Sequence, residues 1–290
     1  MTILELMKET KFTGAEQLVV DYMHSQKYEL ANKTLKVAAK ESFTSPSTFI
    51  RVANKLNFDG WNDLKSTFLK ELTYFERDIS TVDLNIPFSK NDSVLSIANK
   101  ITELKKNTFD DIVDLLSYKE LTKAVDYLNQ RKSITIFASS VNLLLAEEFQ
   151  FKMKRLKYPV TISSLESEHI YDALNMEEES CAILISYTGS SVKMLEIADI
   201  LKDRRIPIIA ITSFSDNILS KNANAILFMA TRERLYSKVG HYSTNTSVTH
   251  LLDILYSALF AKNFESNMDH IVSTSKIADI RLATSRAMEE

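Results

Sequence analysis

The chain has 290 residues, 45% of them apolar and 25% charged, with a net charge of -3. That balance supports a sizeable core and excludes a disordered or collagen-like chain. One cysteine, Cys181, excludes an internal disulfide, and no run nears the ~20 apolar residues of a membrane span, so a cytoplasmic protein with no membrane partner is expected.

The start, Met1 to Lys11, carries Glu5, Lys8 and Glu9 and does not read as a signal peptide. Gly14 precedes a long helical pattern with Leu18, Tyr22 and Met23 on one face, and a shorter pattern follows with Leu35, Ala38 and Ala39. Ser45 is a natural N-cap, and Pro46 suits the first helical turn. The spacing of Phe49, Val52, Ala53 and Leu56 predicts a helix over 46–56 with those residues on its buried face. Ser47, Thr48, Arg51, Asn54 and Lys55 fall on the other face. Asp59-Gly60-Trp61 is a turn signal, and Leu64, Phe68 and Leu72 open a further helix.

Two short helices around a tight turn, the second polar and basic outside, describe a helix-turn-helix. From Lys33 to Lys70 there are seven basic residues against three acidic ones, a net charge of +4 in a chain of -3. Such a patch attracts a phosphate backbone, so double-stranded DNA is the expected partner. Ser45, Ser47, Thr48, Arg51, Asn54 and Lys55 are the candidate contacts. The competing reading is a solvated face of a helical bundle.

Thr81 to Lys90, with Pro87, reads as a hinge, and a helical period resumes between Asn91 and Ser117. That helix could join the second domain or tie two subunits together. From Lys119 strands alternate with helices. The strands are expected at Ser133–Ala138, Pro159–Ile162, Cys181–Ser186, Pro207–Thr212 and Ala225–Met229. Short apolar strands between helices predict a parallel sheet covered on both faces, with ligands at the carboxyl ends of its strands. At one such end lies Ser186-Tyr187-Thr188-Gly189-Ser190-Ser191, ahead of a helix starting near Val192. Hydroxyls and free amides at a helix N-terminus suit a phosphate. The alternative is that the hydroxyls merely cap the helix.

Residues 35–65 also carry a family resemblance. Ser45-Pro46-Ser47-Thr48, Arg51, Lys55-Leu56-Asn57-Phe58, Gly60-Trp61 and Leu64-Lys65 resemble the N-terminal module of RpiR-type bacterial transcription regulators, with Asn57 where glycine is usual. In that family a sugar isomerase (SIS) domain follows the helix-turn-helix. The segment 186–191 is similar to the Ser-x-Ser-Gly-x-Thr signature of SIS domains, with hydroxyls at Ser186, Thr188 and Ser191. The resemblance implies an α + α/β fold: a helical helix-turn-helix domain, then a five-stranded parallel-sheet, flavodoxin-like α/β sandwich. It implies a DNA-binding regulator of carbohydrate metabolism with a phosphosugar effector. The expected effector residues are Ser139, Ser140, Asn142, Ser186, Tyr187, Thr188, Gly189, Ser190 and Ser191. The first loop, Ala138-Ser139-Ser140-Val141-Asn142, lacks the family's glycines, and Asn142 stands in place of its ligand-binding serine.

The expected divisions are 1–77 for DNA binding, 78–118 for linker and connecting helix, and 119–290 for the SIS domain, in a homodimer or homotetramer. No pair among the five histidines has zinc-site spacing, so neither metal nor cofactor is expected. A sugar-phosphate isomerase with an accessory helical domain is the enzymatic alternative. Glu166, Glu168, His169 and His241 are its only candidates for proton transfer. A regulator with an idle, ligand-free SIS domain is a third reading. Arg232, Arg234 and Lys238, and more weakly Tyr242, Ser243 and Thr244, could assist an anionic ligand.

Overall fold

Local signals start and stop the first helices, and the computed structural model describes residues 3–76, 82–215, 217–230 and 232–278. Helices α1 (Ile3–Glu9), α2 (Gly14–Gln26), α3 (Leu35–Glu41), α4 (Pro46–Lys55) and α5 (Trp61–Glu76) form the first layer, with a 3-10 turn at Lys27–Asn32. The buried Glu71 carboxylate accepts the Ile3 amide at 2.6 Å and the Leu4 amide at 2.9 Å, which seats α1 on α5. Val19, Met23, Leu30, Phe49, Val52, Leu64 and Phe68 are fully buried in one core, where Phe49 meets Trp61 edge-on at 4.7 Å. Asn57 ends α4 with a φ of 64°, and the Phe58 amide reaches back to the Ala53 carbonyl at 2.9 Å. Asparagine can therefore do here what glycine usually does, because its short polar side chain tolerates the left-handed region.

The hinge expected at 81–90 and the division expected at 77/78 fall partly on residues 77–81, outside the described residues. Beyond them, the Asp83 carboxylate accepts the Asn85 and Ile86 amides at 2.7 and 3.1 Å and folds the chain into a turn. Asn85 then takes the Arg234 amide on its side chain at 2.6 Å and the Val239 amide on its carbonyl at 2.9 Å. Helix α6 (Val94–Leu115) puts Ile112 and Leu115 into the core of the second layer, so it packs with the sheet domain.

Helix α7 (Tyr118–Gln130) leads into β1 (Ser133–Phe137), α8 (Val141–Arg155), β2 (Val160–Ser163), α9 (His169–Asn175), β3 (Ser180–Ser186) and α10 (Val192–Asp203). Next come β4 (Ile208–Ser213), α11 (Ile218–Asn222), β5 (Ala225–Met229), α12 (Tyr242–Lys262) and α13 (Phe264–Ala278). The strands are all parallel, in the order β2-β1-β3-β4-β5. This is the flavodoxin-like order. Helices α7, α8 and α12 cover one face, and α9, α10 and α11 cover the other. The central strand β3 is buried at every position, as expected for a sheet covered twice. Cys181 lies in it, and burial pushes its thiol up to about 12. Helix α9 begins at His169, so the candidate acids Glu166 and Glu168 precede its first turn.

A cavity of about 470 Å³ lies between the two layers. It is lined by Leu6, Leu56 and Phe58 on one side and Phe214, Ile226 and Phe228 on the other. The helical layer therefore sits over the β5 edge of the sheet.

Candidate functional site

Helix α4 starts as its residues dictate, with Ser45 extended at the N-cap and Pro46 first in the helix. The Ser45 hydroxyl does not cap it. That hydroxyl pairs instead with those of Ser47 at 2.7 Å and Thr48 at 2.9 Å. Ser45, Ser47, Arg51, Asn54 and Lys55 are exposed, but Thr48, expected on the outer face, is buried at 3% exposure. It accepts a 3.3 Å hydrogen bond from Arg51 and so orients the guanidinium from beneath. Position 48 follows Ser47 by one residue, and 100° of helical rotation is enough to turn it inward. Ile50, 44% exposed, stands on the outer face with Ser47, Arg51 and Asn54, at the i, i+3, i+4, i+7 positions of one stripe. The sequence reading passed over it.

Lys55, on the outer face as expected, is exposed but already paired. Its ammonium donates to Glu16 at 2.9 Å and so ties the end of α4 to the start of α2. Lys33 is likewise paired with Glu41 at 2.5 Å, and Lys65 donates to the Ala31 and Lys33 carbonyls. Lys36, Lys40, Arg51 and Lys70 are exposed on α3, α4 and α5. The Thr13 amide and then the Lys55 ammonium hold the Glu16 carboxyl at about 2. A carboxyl held low when folded stabilises the fold above its ordinary range and loses that contribution as pH falls. Glu16→Gln is therefore expected to flatten the loss of stability between pH 4.5 and about 2, read by circular dichroism during denaturant titrations at each pH.

At the carboxyl edge of the sheet, Phe137 pairs with Leu184. The loops after β1 and β3 thus leave neighbouring strands at the same edge of the sheet. Gly189 has a φ of 60°, and a Cβ there would lie 2.1 Å from the Asn217 side-chain oxygen. Only glycine permits this approach. The Leu219 amide donates to the Gly189 carbonyl at 3.0 Å. Asn217 in turn caps α11, accepting the Ser220 amide at 2.9 Å and donating to Thr212 at 3.1 Å.

The loop hydroxyls do little capping. Ser191 is the N-cap of α10, yet its side chain makes no cap hydrogen bond. Thr188 accepts the Ser190 amide, at a long 3.3 Å, and the Ser190 hydroxyl donates to the Thr188 carbonyl, also at 3.3 Å. Thr188, Ser190 and Ser191 are exposed, whereas Ser186 and Gly189 are buried. The first-turn amides of α10 and three exposed hydroxyls thus gather donors of a kind suited to an anion. In the first loop Ser140 is exposed with a φ of 55°. The left-handed turn that glycine usually provides is present here on a serine. Asn142, expected among the effector residues, is 8% exposed, and its side-chain oxygen has no hydrogen-bond partner among the described residues. His169 is 1% exposed, with neither ring nitrogen hydrogen-bonded among the described residues, and its ring lies 6.0 Å from that of Phe137 at the end of β1. Orphaned buried polar atoms are uncommon and call for a partner.

Two of the cations after β5 are already committed. Arg232 faces Asp111 at 3.4 Å. Lys238 faces Glu233 at 3.3 Å and lies 5.0 Å over the Tyr187 ring, and the Tyr187 hydroxyl donates to the Glu233 carbonyl. Arg234 is exposed. Glu233, which the sequence reading missed, sits at the head of α12. Its carboxylate accepts the amide and hydroxyl of Ser243 at 2.8 Å each, the Thr244 amide at 3.0 Å and the Thr244 hydroxyl at 2.8 Å. Ser243 and Thr244 therefore serve Glu233. Burial pushes the Glu233 carboxyl up, but the Thr244 amide, the Ser243 and Thr244 hydroxyls and Lys238 outweigh it and hold the group below the usual carboxylate range. Among the described residues no cluster of three or more potential metal ligands occurs, and no helix is long and apolar enough to cross a membrane.

Comparison with known proteins matches both halves. Residues 1–74 match the helix-turn-helix domain of the rpiR family, and residues 127–258 match the SIS domain. An HTH-type transcriptional regulator of Clostridium perfringens is 24% identical over 278 residues, 95% of this chain and 98% of that protein. Another from Caldanaerobacter subterraneus subsp. tengcongensis is 22% identical over 281 residues, 96% and 98% of the two chains. Among solved structures, the Vibrio vulnificus NanR protein complexed with ManNAc-6P is similar with a TM-score of 0.59 at 16% identity, over 98% of this chain and all of that one. The sugar isomerase domain of an RpiR transcription factor from Sphaerobacter thermophilus is similar with a TM-score of 0.55 at 13% identity, over 62% of this chain and 98% of that one. With an rpiR-family reading head and a SIS sheet in this order, the chain belongs to the RpiR-type transcriptional regulators.

Proposed function

We propose that the chain docks α4 in the major groove of an operator and gates that binding with a sugar phosphate held at loop 186–191. Residues 1–77 form the reading head, 78–118 the connection and 119–290 the sensor, and two copies related by a two-fold axis engage paired half-sites in the cytoplasm. The observation that carries the sensor is Ser191: it heads α10 without capping it, which leaves amides and hydroxyls available to a phosphate. The unpartnered side-chain oxygen of Asn142, in the first turn after β1, suits a hydroxyl of a sugar at the carboxyl edge of the sheet.

An isomerase reading needs a free base. Glu233 already accepts four hydrogen bonds, and His169 is fully enclosed. Turnover of a sugar-phosphate panel by the purified chain would overturn the non-enzymatic assignment.

The deciding experiment pairs a thermal-shift screen against sugar phosphates with operator titrations. A ligand at 100 times its Kd adds about 2.7 kcal/mol to stability, a shift of a few degrees. The Ser186→Ala, Thr188→Ala double variant is expected to lose that shift and the effector response while binding operator as before. Arg51→Ala is expected to weaken operator binding and to lower the salt slope by about one. Operator affinity unchanged in Arg51→Ala would sink the docking of α4.

A further inference from the structure

We infer that Phe43, in the turn of the helix-turn-helix, reads the operator through an apolar contact. The inference rests on the DNA-binding reading above. Phe43 is 93% exposed, among the most exposed large apolar side chains of the protein. It also has a φ of 53°, a conformation that costs a bulky residue and that glycine adopts freely. The turn around it is well formed, with the Phe43 amide on the Lys40 carbonyl at 3.3 Å and the Thr44 amide on the Ala39 carbonyl at 2.9 Å. The backbone therefore holds this position in a glycine-like state while presenting an aromatic ring to solvent.

A single exposed apolar residue usually needs no explanation. Here three features coincide. The residue disfavours its own turn, the turn offers its ring no cover, and it stands two residues before the N-cap of α4, the end of a recognition helix that approaches base edges. Ile50 adds a second exposed apolar group between Ser47 and Asn54 on the outer stripe of α4. On a face otherwise made of hydroxyls, an amide and cations, apolar groups have two partners on duplex DNA: the thymine methyl in the major groove and the carbon face of deoxyribose. A ring at this turn can meet either, and the contact is independent of phosphate charge.

The test uses the full-length protein and an operator selected by it from random duplex DNA. Phe43→Gly is expected to weaken operator affinity about five- to tenfold, with an unchanged salt slope and a melting temperature equal to or above that of the parent. Phe43→Tyr, which keeps the ring, is expected to restore affinity. Replacing operator thymines by deoxyuridine separates the partners. If the methyl is the contact, the parent loses affinity on the uracil duplex and Phe43→Gly loses no more. If the sugar is the contact, only the protein substitution matters. Phe43→Gly binding within twofold of the parent overturns the inference, as does a loss accompanied by a lower melting temperature. Arg51→Ala run alongside assigns the failure: loss there with none at Phe43 leaves the DNA reading standing, and loss at neither removes that reading as well.

Discussion

Glu233→Ala is expected to destabilise the protein by about 3 to 5 kcal/mol, the range for removing one partner of a buried pair. The substitution takes away the acceptor shared by two amides and two hydroxyls at the head of α12. It also leaves the Lys238 ammonium, whose side chain is 8% exposed, without the carboxylate opposite it. Helix α12 supplies Val248, Leu251, Leu252, Leu255 and Leu259 to the main core of the sheet domain, so losing its start is felt throughout that domain. Glu233→Gln keeps the shape and loses the charge, and should fall between the parent and alanine. Denaturant melts of the three proteins at neutral pH check the order. A Glu233→Ala midpoint equal to that of the parent would remove the carboxylate's structural role. Because the folded carboxyl is held low, its contribution is complete at neutral pH and disappears as the solution is acidified through that lowered value.

Gly189→Ala is the second large effect. The added methyl would meet the Asn217 side-chain oxygen at 2.1 Å and its carbonyl carbon at 2.2 Å, and the φ of 60° strains any L-residue there. Asn217 is 5% exposed and cannot swing into solvent without uncapping α11 and leaving Thr212. A lost cap costs about 1 kcal/mol and overpacking about 1 to 3, so a total of about 2 to 4 kcal/mol is expected. The same displacement deforms the loop that carries Thr188, Ser190 and Ser191. The variant should therefore lose its thermal shift with sugar phosphate even below its own melting range, where calorimetry on the folded fraction can look for binding. Retention of both stability and ligand response would mean that Asn217 repacks freely.

Features written in short-range chemistry were legible in the chain. Strand β5 was expected at Ala225–Met229 and occupies those residues, and Ser45-Pro46 marked the start of α4. Such signals need only neighbours: an apolar run, a cap, a proline at the first turn. Asn57 in its left-handed turn belongs to the same group. Pairings between distant segments were not legible. Lys55 looked like a free cation on an outer face because nothing in its helix reveals Glu16, 39 residues earlier. Glu233 went unnoticed because its four donors come from a helix ten residues further on. Thr48 was misplaced by the narrowness of the helical stripe, since one position of rotation separates exposed Ser47 from buried Thr48. For the candidate sensor, the loop and its residue types could be read in advance. The orphaned atoms of Asn142 and His169 could not, because orphaning is a property of the packed molecule.

The burial of Cys181 has a practical corollary. A sulfur fully enclosed in the central strand and pushed up to about 12 stays protonated at neutral pH, and the thiolate is the form that alkylating dyes attack. The native chain thus serves as its own silent background for labelling. A cysteine introduced at an exposed position on α4 and another on α10 could carry a fluorophore pair, and the distance between reading head and sensor could be followed as metabolite and duplex are added in turn.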